Sequence, residues 1–171
     1  MLFRSIDRTI VWLQQFEPSR LTLVELSSLA KSLSVFAMWQ DPKPLQQATH
    51  ALLSSVARFR TDDGGFSYDG GGSGFPYAAF LAMNLYQDVG RTLPEPDRLS
   101  AALLTCQKND GRFANPDSSS SGMLLSTVAG MLTLRQLTQK IDPRALAWVK
   151  SPFTPSGGFK ADPGSELPDM L

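Results

Sequence analysis

The chain has few of the residues that most often carry catalytic or metal-binding chemistry. Among its 171 residues there are one cysteine, Cys106, and one histidine, His50. A single cysteine cannot form an internal disulfide, which favours a reducing compartment. Cys106 lies on the apolar side of a predicted helix and is interpreted as a small buried hydrophobe rather than a reactive thiol. His50 has no cluster of ligand residues around it and is interpreted as a surface or helix-capping residue.

An excess of charge of one sign and long apolar runs are also missing. The 16 basic residues balance the 16 acidic ones, so no net charge attracts nucleic acid. No apolar run approaches the roughly 20 residues that span a bilayer. The segment Met1–Glu17 alternates charged with apolar residues and lacks the apolar centre of a signal peptide. We therefore predict a soluble, cytoplasmic protein with no transmembrane segment and no nucleic-acid partner.

A glycine–aromatic motif recurs along the chain at a nearly constant spacing. Its three copies are Gly64-Gly65-Phe66, Gly111-Arg112-Phe113 and Gly157-Gly158-Phe159. The second phenylalanine follows the first by 47 residues, and the third follows the second by 46. A fixed period of this size is typical of proteins built from a repeated structural unit.

Helical periodicity surrounds each copy of the motif. Apolar residues at steps of three and four predict seven helices and no strand, with prolines at several helix starts. The predicted helices are Ile6–Phe16, Leu21–Trp39, Leu45–Phe59, Pro76–Tyr86, Leu99–Lys108, Met123–Leu137 and Arg144–Lys150. We predict an all-α protein of about three and a half helical hairpins, which form one domain over residues 1–171. Its repeat units are approximately 1–41, 42–92, 93–140 and 141–171.

The segment LTCQKNDGRF, which ends at Phe113, resembles a known helical repeat. It is similar to the repeat of protein prenyltransferase β subunits and to the QW repeat of squalene and hopene cyclases. The resemblance covers almost the whole chain and is strongest from Ala48 onward. It implies an α/α toroid, here a partial ring, in which helices surround an apolar cavity that holds an isoprenoid.

The C-terminal segment PSGGFKADPGSELPDML resembles the zinc-site segment of Rab geranylgeranyl transferase β subunits. In that family an aspartate and a cysteine bind zinc, while an arginine and a lysine hold the lipid diphosphate. Asp169 matches the zinc aspartate, but Leu171 stands where the cysteine is needed. Asp162 occupies the arginine position, and Glu166 or Ser165 occupies the lysine position.

These replacements change the chemistry that the resemblance implies. Phosphate binding depends on cations, and a carboxylate in their place repels a diphosphate. Leucine cannot ligate zinc. We therefore predict that the chain has no metal site and no cofactor, and does not carry out zinc-dependent prenyl transfer.

Two adjacent carboxylates, Asp62 and Asp63, are the only candidates for catalytic residues. Related terpene cyclases protonate an alkene with an aspartic acid from an acidic cluster, although their Asp-x-Asp-Asp pattern is absent here. Both residues also lie where each repeat unit has a turn that ends a helix, and forming that turn is the alternative role.

Four aromatic residues around the predicted helix Pro76–Tyr86 are candidates for lining an isoprenoid cavity. Their π-faces would stabilise cationic intermediates, and packing in the core is the alternative. They are Phe75, Tyr77, Phe80 and Tyr86.

The number of hairpins bears on partners and on function. Toroids of this family close with more hairpins than this chain supplies, so the last unit is expected to expose an apolar edge. The chain is then either a piece of a longer toroid, or forms a homo- or hetero-oligomer through that edge. We expect an isoprenoid-binding, lipid-binding or protein-interaction module. The alternatives are an isoprenoid-metabolism enzyme, either terpene cyclase-like or prenyltransferase-like, whose active site is completed by another chain or by missing residues, and a helical scaffold without lipid.

Overall fold

The computed structural model describes residues 2–116, 124–155 and 158–160. Over these ranges the chain is all-helical, with seven α-helices and no strand. The all-α prediction is confirmed, and every predicted helix is present with its ends shifted by four residues at most. The helices are α1 (Leu2–Leu13), α2 (Leu23–Trp39), α3 (Lys43–Ala57), α4 (Pro76–Asp88), α5 (Pro96–Thr105), α6 (Leu124–Gln136) and α7 (Pro143–Lys150), and a short 3₁₀ helix spans Pro18–Arg20. None of the described helices is long and apolar enough to cross a membrane.

Local signals at the helix starts account for their positions. Proline is the first residue of α4, α5 and α7, where its missing N–H costs no hydrogen bond. A capping box starts α2, because the Thr22 hydroxyl accepts from the Glu25 N–H at 3.3 Å and the Glu25 carboxylate accepts from the Thr22 N–H at 2.8 Å. Asp142 caps α7 by accepting from the Arg144 N–H at 2.8 Å.

The chain forms two compact units. The first, unit 1, comprises residues 1–60, 68–70 and 81–94. Its core is mostly aliphatic, and its fully buried side chains include Leu23, Leu26, Ala30, Leu52, Val56, Ala82 and Leu85. The Arg58 guanidinium at the end of α3 donates to the carbonyls of Ser19 and Leu21. These bonds fasten the connection between α1 and α2 to α3.

The second, unit 2, comprises residues 61–67, 71–80 and 95–171, and it contains the three glycine–aromatic turns. One hydrogen bond, from a backbone N–H to the carbonyl four residues later, occurs in each turn. It joins Thr61 to Gly65 at 3.1 Å, Lys108 to Arg112 at 2.9 Å, and Thr154 to Gly158 at 3.1 Å. In each case the next residue is the phenylalanine of the motif.

Two of these turns are packed against the start of a later helix in the same way. Arg98, in the first turn of α5, donates to the Asp62 carbonyl at 2.7 Å, and Arg144, in the first turn of α7, donates to the Asn109 carbonyl at 2.6 Å. Gly64 and Gly111 both have φ of +90°, a conformation that glycine tolerates best. A Cβ on Gly111 would lie 2.4 Å from the Ala145 backbone nitrogen. Glycine is therefore needed both for the turn and for the approach of a later helix.

Replacing Gly111 by alanine tests this double requirement. Because both the positive φ and the contact with the α7 backbone oppose a Cβ, Gly111→Ala is expected to lower the free energy of unfolding by about 3 kcal/mol or more. Urea denaturation followed by circular dichroism measures this. Gly72→Ala is the matched control, since Gly72 also has positive φ (+65°) but nothing within 4 Å of an added Cβ. It should cost only about 1 kcal/mol, and equal losses in the two variants would contradict the packing argument.

Candidate apolar ligand site

An apolar groove of about 350 Å³ lies between α1 and the outer face of α2 in unit 1. This volume falls within the range of small-molecule sites, roughly 300–1,000 Å³. The groove is lined by Trp12, Leu13, Phe16, Leu21, Val24, Glu25, Ser28, Leu29 and Ser32. Apolar side chains thus form most of its wall.

The placement of apolar side chains on α1 and just after it explains why this groove remains open. Ile10 and Leu13 are buried. Trp12 and Phe16 lie one helical turn apart on another side of the segment, and their rings meet edge to face with centroids 4.8 Å apart. Their exposed fractions are 55% and 38%. The two rings therefore present apolar surface to the groove instead of closing it.

The polar residues of the groove are confined to α2. Glu25 is the only charged residue in the lining, and its carboxylate also accepts from the Thr22 hydroxyl at 2.8 Å. Hydrogen bonds from the Thr22 backbone and hydroxyl lower the pKa of Glu25 below its ordinary value. The groove therefore carries a negative charge at neutral pH, and the described residues that line it include no lysine, arginine or histidine.

The sequence prediction of cavity-lining aromatics did not include the residues of this groove. The signal for them was the spacing of Trp12 and Phe16, which places two aromatic rings beside the buried stripe of an amphipathic helix. That signal is weak, because exposed single aromatics are common on protein surfaces. The apolar surface of Trp12 and Phe16 forms part of a groove only because Val24 of α2 lies beside it in the structure.

The four predicted cavity aromatics occupy different environments. Tyr86 is buried in unit 1 with 7% of its surface exposed, and burial raises the pKa of its hydroxyl, opposed by the charge of Arg60. In unit 2, Tyr77 and Phe80 are half-buried and stack with centroids 6.3 Å apart. Phe75 is half-buried and its N–H donates to the Phe66 carbonyl at 2.7 Å. None of the four lines the α1–α2 groove, and a role in a cavity stays a prediction.

The carboxylates of Asp62 and Asp63 lie in the first glycine–aromatic turn. Both Asp63 oxygens accept hydrogen bonds, from the Thr61 hydroxyl at 2.6 Å, the Gly65 N–H at 2.9 Å and the Gly74 N–H at 3.0 Å. Partial burial raises the pKa of Asp63, but these hydrogen bonds lower it by more, so that the pKa lies below its ordinary value. Asp63 is held ionised, which suits a brace for the turn and opposes protonation of an alkene.

The depressed pKa of Asp63 makes stability depend on pH. A carboxylate whose pKa is lower in the folded state stabilises the fold above its unfolded pKa, about 3.9, and loses that effect as the pH falls through the folded pKa. The free energy of unfolding should therefore fall below about pH 4. Asp63→Asn should destabilise the protein more at neutral pH than at low pH, as measured by urea denaturation across this range.

Asp62→Asn is the control for this experiment, because Arg98 uses only the backbone carbonyl of Asp62. Asp142, whose pKa is also lowered by hydrogen bonds from Arg144, contributes acid sensitivity that both variants retain. A difference between wild type and Asp63→Asn that stays constant over the whole pH range would contradict the role assigned to Asp63.

Cys106 is buried at the end of α5 with 1% of its surface exposed. Its sulfur lies 3.5 Å from the Gly74 carbonyl oxygen. Burial is the main reason that the pKa of Cys106 rises to about 11. The structure therefore supports the interpretation of Cys106 as a buried apolar residue. His50, in contrast, lies exposed on α3.

The thiol of Cys106 is expected to resist modification in the folded protein. The thiolate is the reactive species, and it is scarce at neutral pH in a group whose pKa is about 11. With a disulfide reagent at neutral pH, the native protein should react at least about a hundredfold more slowly than the urea-unfolded protein. Cys106→Ser provides the blank, and equal rates for the native and unfolded protein would refute the prediction.

In the part of the chain that the structure describes, no group of three or more His, Cys, Asp or Glu residues could hold a metal ion. The predicted departures from the family's zinc and diphosphate site, Asp162, Ser165, Glu166, Asp169 and Leu171, lie outside the described residues. A comparison with models of known protein families finds no match to this chain, and neither does a search among curated proteins.

Proposed function

We propose that this chain is a prenyltransferase-like α/α-toroid domain that binds an uncharged isoprenoid, or a similar apolar ligand, without zinc-dependent prenyl transfer. The observation that carries the proposal is the aromatic groove between α1 and α2. Its volume suits a small lipid, and each buried methylene of such a ligand contributes roughly 0.8 kcal/mol. The groove binds by excluding water from an aliphatic chain, with Trp12 and Phe16 as one wall.

The toroid part of the proposal draws support from the recurrence in unit 2. The same turn hydrogen bond occurs at residues 61, 108 and 154, and the arginine bonds to Asp62 and Asn109 occur at matching positions. In a stacked helical repeat, equivalent residues of successive repeats make equivalent contacts.

The charge of the groove selects among isoprenoid ligands. Glu25 is ionised and the described lining of the groove contains no cation, so a diphosphate end group would be repelled. A prenyl alcohol or hydrocarbon has no such penalty. The proposed ligand class thus agrees with the predicted placement of Asp162, and of Glu166 or Ser165, at positions where the resembling family has cations.

The alternative is an isoprenoid enzyme, either terpene cyclase-like or prenyltransferase-like, whose active site is completed by another chain or by missing residues. A cyclase of this kind needs a protonated acid to start the reaction. The lowered pKa of Asp63 and its three hydrogen bonds oppose that role. This observation favours ligand binding over catalysis by the described residues.

Filling the groove should weaken ligand binding. In a background with Trp39→Phe and Trp148→Phe, Trp12 is the only tryptophan, and its fluorescence reports titration with geranylgeraniol. Ser28 lines the groove and is exposed, so Ser28→Phe should occupy the site without disturbing the core. We expect it to weaken binding at least about tenfold, or 1.4 kcal/mol, and geranylgeranyl diphosphate to bind more weakly than the alcohol.

Ser54→Phe, at an exposed position on α3 that does not line the groove, is the matched control and should bind like the parent. Mass spectrometry of lipids that co-purify with the protein gives an independent measurement. If Ser28→Phe and Ser54→Phe bind geranylgeraniol equally well, or if no saturable binding occurs, the proposed site is wrong.

A further inference from the structure

A second cavity, of about 240 Å³, lies in unit 1 between α3 and the pair formed by α1 and α2. We call it the α3 cavity, because α3 contributes Pro44, Gln47, Ala48 and Ala51 to its wall. Three further residues line both the α3 cavity and the α1–α2 groove, and they are Leu13, Phe16 and Leu29. The two spaces are therefore separated by no more than these three side chains.

The three shared side chains differ in burial. Leu13 and Leu29 are 7% and 6% exposed and belong to the core, whereas Phe16 is 38% exposed. Phe16 lies beyond the end of α1, where its N–H donates to the Leu13 carbonyl at 3.3 Å. Its ring thus forms the solvent-facing part of the boundary. A chain that passes this ring goes from the groove to the α3 cavity without displacing the buried leucines.

Polar groups are distributed unequally between the two spaces. The groove is lined by the Glu25 carboxylate and by the hydroxyl-bearing Ser28 and Ser32, all of which can accept a hydrogen bond from an alcohol. The described residues that line the α3 cavity include no charged residue, and its polar side chains are the amides of Gln14 and Gln47. The hydroxyl end of a ligand is therefore favoured in the groove and an apolar end in the α3 cavity.

We propose that the α3 cavity binds the far end of the ligand's chain, so that the site selects long isoprenoid alcohols over short ones. This inference rests on the proposed function of the groove. The groove alone, at about 350 Å³, is near the lower limit of the roughly 300–1,000 Å³ that small-molecule sites span. Ten-carbon geraniol stays within the groove, whereas twenty-carbon geranylgeraniol extends past Phe16 into the α3 cavity. Each further methylene buried there strengthens binding roughly fourfold.

Filling the α3 cavity tests this assignment, because it should affect the long alcohol alone. Ala48 lines the α3 cavity but not the groove. In the background in which Trp12 is the only tryptophan, its fluorescence is titrated with geraniol and with geranylgeraniol. We expect Ala48→Phe to weaken the binding of geranylgeraniol at least about tenfold and to leave the binding of geraniol unchanged. Retained binding of geraniol also shows that the variant is folded.

A second variant and a control complete the experiment. Ala51 lines the α3 cavity from an exposed position, so Ala51→Phe should reproduce the selective loss with less disturbance of the core. It decides the result if circular dichroism shows that Ala48→Phe is unfolded. Ser54→Phe, at an exposed position of α3 that lines neither space, should bind both alcohols like the parent. If geraniol binds too weakly to measure, the contrast between Ala51→Phe and Ser54→Phe with geranylgeraniol decides.

The outcomes separate this inference from the proposed function. If the variants at Ala48 and Ala51 weaken both alcohols equally, or weaken neither, the α3 cavity does not hold the end of the chain. The groove itself remains the binding site in that case if Ser28→Phe still weakens both alcohols. If neither alcohol binds to the parent protein, the proposed function is wrong, and the role of the α3 cavity is refuted with it.

Discussion

The close approach between two of the glycine-containing turns and the first turn of a later helix is the constraint on which unit 2 depends. Gly64 and Gly111 must adopt positive φ, and each leaves room for the backbone or Cβ of an incoming arginine. Once the helix is that close, Arg98 or Arg144 reaches the turn carbonyl. Glycine thus permits the turn, the short distance to the helix and the arginine hydrogen bond together. Any side chain at its position would separate the turn from the helix.

Unit 1 is held together differently, and its candidate site follows from that difference. Its helices pack through leucines and valines, and Arg58 fastens the connection between α1 and α2 by bonding to two carbonyls. No glycine turn in this part brings a further helix onto the outer side of α2. Trp12, Phe16 and Val24 consequently keep apolar surface exposed there, which produces a groove instead of a packed interface.

Much of the fold was predictable, because helix formation depends on local periodicity and on prolines and caps at the ends. The helix ends were less accurate: α1 begins at Leu2 and ends at Leu13, not at Ile6 and Phe16. The candidate site was not predicted. Tyr77 and Phe80 stack on each other in unit 2, while the groove is lined by Trp12 of α1 and by Phe16, which follows that helix. The importance of these two rings depends on which face of α2 lies opposite them.

The helical class, the positions of the glycine turns and the near-constant spacing between them follow from local composition and period, so the amino-acid sequence alone was enough to establish them. What each residue of a turn does depends instead on how distant segments pack. Asp63 is a brace because Gly74, eleven residues away, donates to it, and Phe113 is buried while Phe159 is exposed because α6 covers only the first. Such differences arise from contacts between distant segments, which a repeating local pattern cannot encode.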